Sequence, residues 1–185
     1  NHRQAFTDIN ISRGLLPSRY SFDQWNNGLL RGTIRYNDNK KNNRIFIYGA
    51  AGIIQTDSTA SYFKEYNHGL PTGADYRLMR GMVKTTHNEL FALSIMGLYK
   101  LEKNSYWKAI SLPLQNDDEL LTDITTHGDT LIVLSRSHLY YSKAPYKNFK
   151  IITLKSPAGK EGEVSLFRQV WLLHSGALFG NIGKL

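Results

Sequence analysis

At 185 residues the chain is long enough for one domain with a real core. Its 12% aromatic content, with 11 Tyr against 8 Phe, suits half-exposed strands. The 23 basic residues against 15 acidic give a net charge of +8, yet only Lys40-Lys41 are adjacent, so no nucleic-acid footprint is expected. The absence of cysteine excludes a disulfide framework and thiolate metal sites.

Residues 1–28 carry Tyr20, Phe22 and Trp25 and are expected to act as a cap or linker. An internal repeat then begins. Leu29–Tyr36, Leu78–Thr85 and Leu120–His127 align without gaps, each alternating apolar and polar residues as a half-buried strand does. Arg44–Asp57, Glu89–Glu102 and Thr130–Lys143 align next. Each is an apolar run, a small-residue break and a second apolar run.

The first of those runs (Ile45-Phe46-Ile47, Leu90–Leu93, Leu131–Leu134) predicts a strand buried on both faces. Gly52, Gly97 and His138 share the column at the following turn, where glycine admits a positive φ and the third copy departs from it. A third strand leads to an aromatic-Lys pair, Phe63-Lys64, Trp107-Lys108 or Phe149-Lys150. Pro71, Pro113 and Pro157 close the copies, as a residue without an N–H should at a strand end. The recurring ring is either an exposed binding track or a wedge between adjacent sheets, and its equivalence across copies favours the wedge.

A strand-rich repeat at a period of about 40–45 residues predicts an all-β, propeller-like array. We expect three four-stranded antiparallel blades over 29–158, namely 29–71, 78–113 and 120–157. Propellers typically carry about 4–8 blades, so residues 1–28 or a second copy of the chain would have to cover exposed faces. In the segment 159–185, Val164, Phe167, Val170 and Trp171 fall at helical spacing, predicting a helix over Glu163–Leu173 that ends near Gly176.

Chemistry is sparse. There is no G-x-S-x-G, and Gly159-Lys160 lacks the rest of a phosphate loop. Histidines 2, 68, 87, 127, 138 and 174 show no ligand spacing, so no metal site is expected, and His87 and His127 suit turn capping. Asp117-Asp118-Glu119 lacks the alternating oxygens of a calcium loop and is expected to be a solvated loop.

The ends carry a resemblance. Asn1-His2-Arg3, together with Trp171-Leu172-Leu173-His174-Ser175-Gly176, Phe179-Gly180 and Gly183-Lys184, resembles the PepSY-associated transmembrane helix family of bacterial inner-membrane proteins. Trp25-Asn26-Asn27, Thr56–Thr59, Gly97-Leu98-Tyr99 and Leu121-Thr122-Asp123 are similar to the periplasmic insert of its iron-acquisition variant.

The resemblance implies a periplasmic domain between two membrane helices, with both ends of the chain emerging toward one bilayer. It implies a non-catalytic binding or sensory role linked to iron or siderophore uptake, with an envelope protein or iron chelate as partner and a homodimer possible. The second reading is a domain positioning substrate for a haem-containing ferric-siderophore reductase. A third is an element that merely holds two membrane helices together. By carry-over, His174 and then His2 are the haem-ligand candidates in the full-length protein, or else they hydrogen-bond at the headgroup level. The domain alone would carry no cofactor.

Overall fold

The computed structural model describes residues 30–37, 43–49, 52–72, 78–103 and 105–154, with the backbone of 166–172 and 178–183. Three four-stranded antiparallel sheets follow one another along the chain. The first holds β1 (Leu30–Asn37), β2 (Asn43–Gly49), β3 (Gly52–Asp57) and β4 (Lys64–Glu65). The second holds β5 (Met79–Lys84), β6 (Leu90–Ser94), β7 (Gly97–Leu101) and β8 (Trp107–Ile110). The third holds β9 (Leu121–His127), β10 (Thr130–Ser135), β11 (His138–Lys143) and β12 (Lys150–Thr153). Strands pair in chain order in each, so every sheet is a meander, and the three fall on the expected blades.

Apolar residues on both faces explain the stacking. In the second blade, Leu90, Ala92, Tyr99 and Trp107 pack toward the first blade, against Phe46, Ile53 and Tyr66. The alternate residues Phe91, Leu93 and Leu98 pack toward the third, against Leu131, Val133 and Tyr140. Every residue of β6 is buried, which accounts for its unbroken apolar run. The first strands succeed one another in space: β1 lies against β5, and β5 against β9. That is propeller geometry.

Trp107 fastens the first seam. Its ring is fully buried, its Nε1–H donates to Tyr66 O at 2.7 Å, and its backbone N–H donates to His68 O at 2.9 Å. Phe149 packs into the second seam, and half-buried Phe63 packs on Ile47 and Ile54. Trp107 and Phe149 are therefore wedges between blades, whereas Phe63 contacts only its own blade among the described residues. Gly69 accommodates the same contact, since it holds a φ of +94° and a Cβ there would lie 2.3 Å from Trp107 O.

Two expectations need correction. Gly52 has the anticipated positive φ of +97°, but Gly97 does not; glycine there leaves room for the Tyr99 phenol, whose oxygen would lie 2.9 Å from a Cβ. The helix drawn over Glu163–Leu173 is replaced by β13 (Leu166–Leu172), which pairs antiparallel with β14 (Leu178–Gly183). Val170, Trp171 and Phe167 favour strands as readily as helices, and a bulge between Phe167 and Gln169 breaks strict alternation, so a spacing of three is compatible with β structure. The hairpin lies against β9 and β10, in the place a fourth blade's inner pair would take. The cap at 1–28 and the position of both chain ends lie outside the described residues.

Replacing Trp107 with Ala should lower the unfolding free energy by about 3–5 kcal/mol, from the lost ring volume and an orphaned Tyr66 carbonyl. Urea denaturation measures this, and a loss below about 1 kcal/mol would mean that the ring does not hold the seam.

Candidate functional site

The meander places the first-to-second and third-to-fourth strand connections on one rim of the array, here the lower. The second-to-third turns and the links between blades occupy the upper rim. At the upper rim of the second seam, the β10–β11 turn is organised by Ser135. Its Oγ accepts from Ser137 N at 3.3 Å and from His138 N at 2.9 Å. Ser94 accepts from Met96 N at 3.2 Å in the same way one blade earlier, so this turn chemistry belongs to the repeat.

What sets the third blade apart is Glu119, on the link from β8 to β9. The residue is only 6% exposed. Its Oε1 accepts from Ser135 Oγ and lies 2.7 Å from His138 Nδ1. Its Oε2 accepts from Tyr140 Oη at 2.6 Å and from Gln115 N at 3.0 Å. Burial alone would disfavour the carboxylate anion. The hydrogen bonds from Ser135, Tyr140, Gln115 and His138 outweigh it and hold Glu119 below its ordinary value of 4.5. Tyr140 is pushed up by its burial and by the adjacent carboxylate.

Glu119 was expected in a solvated acidic run. Asp117 and Asp118 are indeed exposed, but Glu119 turns inward because four donors await it. In the earlier copies Gly28 and Arg77 precede the first strand where Glu119 stands, and Gly52 and Gly97 stand where His138 does. Two departures from one repeat thus touch each other. The sequence shows each departure singly, but only the fold shows that they form a pair.

The geometry defines what the cluster can do. Ser135 Oγ is committed to the carboxylate, while Ser137 Oγ lies 3.0 Å from His138 Nδ1, the same nitrogen that faces Glu119 rather than the ring's free Nε2. With Nδ1 facing Glu119, the His138 ring is orientation-locked, and Nε2 makes no hydrogen bond among the described residues. The side chain remains 12% exposed. It is a fixed, polar edge on the rim.

Elsewhere the expected residues fall apart. His87 lines a lower-rim cleft of about 600 Å³ between the first two blades, with Tyr36, Arg44, Tyr66, Glu89 and Lys100. The polar groups there satisfy one another: Lys100 pairs with Glu89 at 2.5 Å, and Arg44 donates to Tyr66 Oη at 3.1 Å. His127 ends β9, exposed. The haem-ligand candidates His2 and His174 lie outside the described residues. Among the described residues no group of three His, Asp or Glu could hold a metal ion.

No protein-family model matches the chain, and no curated protein matches it. Solved structures do. The extracellular domain of the one-component system BT4673 from B. thetaiotaomicron is similar with a TM-score of 0.61 at 12% identity, over 75% of this chain and 18% of that one. The extracellular domain of the hybrid two-component system BT3049 from the same organism gives 0.60 at 13%, over 95% and 20%. Virginiamycin B lyase from Staphylococcus aureus gives 0.54 at 15%, over 83% and 55%. At such identities the likeness shows the propeller-like fold, and this chain spans well under two thirds of each of these proteins.

Glu119→Gln should change stability in a pH-dependent way. A carboxylate whose folded pKa is depressed adds stability that is full above its unfolded value of 4.5 and is lost as pH falls through the lower folded value. At pH 7 the variant should be about 1–3 kcal/mol less stable, and the gap should close in acid. Thermal unfolding from pH 7 to pH 3 tests this; parallel curves would sink the assignment.

Proposed function

We propose that this chain is part of an extracytoplasmic, propeller-borne binding module of the sensory type, that its upper rim meets the ligand, and that it performs no chemistry on it. The observation that carries the reading is the Glu119–His138 pair. A costly buried carboxylate holds an imidazole in one orientation at the rim, and the adjacent Ser137 hydroxyl meets the nitrogen already turned to Glu119 and not the outward Nε2. Such an arrangement recognises a ligand by a fixed hydrogen bond and lowers the ordering cost of binding.

The comparisons support the same reading at the level of architecture. BT4673 and BT3049 are extracellular domains of one-component and hybrid two-component systems. The lyase shows that the fold also hosts an enzyme, so the non-catalytic part of the proposal rests on the site and not on the fold. Tethering to an inner membrane and a link to iron uptake, suggested by the end motifs, would specify which module this is.

The test is a thermal-shift screen of the purified chain against monosaccharides, amino acids and small carboxylic acids, followed by product analysis of every hit. A ligand present at 100 times its dissociation constant should stabilise the chain by about 2.7 kcal/mol. His138→Ala should remove most of that gain while leaving the unliganded melting temperature within a few degrees. Conversion of a hit into product would overturn the non-catalytic reading, and a gain indifferent to His138 would move the site elsewhere.

A further inference from the structure

The first strand of every blade carries a bulge at the same place. The ladders of β1 and β2, β5 and β6, β9 and β10, and β13 and β14 each skip one residue, and the skipped residues are Arg31, Arg80, Thr122 and Arg168. A bulged residue is released from its ladder and its side chain is re-aimed. Because β1, β5, β9 and β13 lie side by side, the four bulges form an arc at the upper rim.

Three of the four positions hold arginine. The exception, Thr122, donates to Leu134 O at 3.3 Å, and Arg136 of the β10–β11 turn supplies a guanidinium beside it at the same rim. Arg31 and Arg80 sit on the neighbouring strands β1 and β5, and burial, then the charges of Arg31 and Arg136, depress the pKa of Arg80. Arg80 Nε is buried and donates to nothing. The local acids are otherwise engaged: Glu119 has its four donors, and Asp123 accepts from Ile124 N at 2.9 Å. Among the described residues no carboxylate pairs with Arg31, Arg80 or Arg136.

Crowded guanidinium groups with a buried, unanswered N–H form an incomplete arrangement. We infer that the bulge arginines Arg31 and Arg80, joined by Arg136, form a recognition site for the oxyanion group of an anionic ligand, a carboxylate, sulfate or phosphate. The planar fork of each guanidinium matches two oxygens of such a group. This deepens the proposed function, since it rests on the upper rim being the binding face and adds the charge class of the ligand.

Thermal unfolding of the chain with inorganic sulfate, inorganic phosphate or citrate, at ionic strength held constant with sodium chloride, tests the site. At least one anion should raise the melting temperature by more than about 2 °C over chloride. Sulfate or phosphate as the stronger stabiliser would indicate a tetrahedral group, and citrate a carboxylate. Arg80→Met should melt no lower than the parent without anions, because it removes an unpaired buried donor, and should lose most of the anion response. The exposed variant Arg31→Met should weaken that response in a chain whose circular dichroism is unchanged.

An equal shift from chloride would mean an adventitious ion only and would overturn the site, as would an undiminished response in both variants. Binding of a neutral ligand through His138, with no anion effect, would end the charge assignment and leave the binding face intact. An anion response that survives both His138→Ala and Arg80→Met would count against both.

Discussion

Each four-stranded sheet described is apolar on both faces, and none can stand alone in water. Leu90 and Ala92 need the first blade, while Phe91 and Leu93 need the third. Burying both faces of one four-stranded sheet removes several large side chains from water, each contributing about 1.5–3 kcal/mol. Stacking is therefore the condition of folding, and seams between blades are where most of the stability resides. Side chains that must be specific can enter only at the rims, where the seams open.

That constraint explains the positions of the polar groups. Glu119 reaches the second seam from the link between β8 and β9, and its carboxylate ties that link to Ser135, His138 and Tyr140 of the following blade. Trp107 does the comparable work at the first seam, mainly with carbon and two N–H groups. One seam is closed by an apolar ring, the other by an ion-centred network. The network leaves a polar imidazole edge at the upper rim of its seam.

The blades were legible in the sequence because alternation and punctuation recur in register. Trp107 was legible as a wedge because its column holds Phe63 and Phe149. The fourth inner strand was missed, although Leu166-Phe167-Arg168-Gln169 matches Leu78-Met79-Arg80-Gly81, and Leu178-Phe179 matches Leu90-Phe91. Apolar spacing across a bulge mimics a helix, and the local pattern outweighed the distant one. Glu119 was hidden for another reason. Its neighbours Asp117 and Asp118 look solvated, and three of the four donors that draw it inward come from residues 16 to 21 positions later.

The repeated bulge has an evolutionary corollary. A residue skipped by the ladder contributes little to strand pairing, so selection can exchange Arg for Thr there, as between Arg80 and Thr122, without disturbing the sheet. The same backbone irregularity recurring in each module resembles a row of interchangeable sockets. Exchanges at these positions would change the chemistry of the rim alone, leaving the scaffold's hydrophobic code untouched.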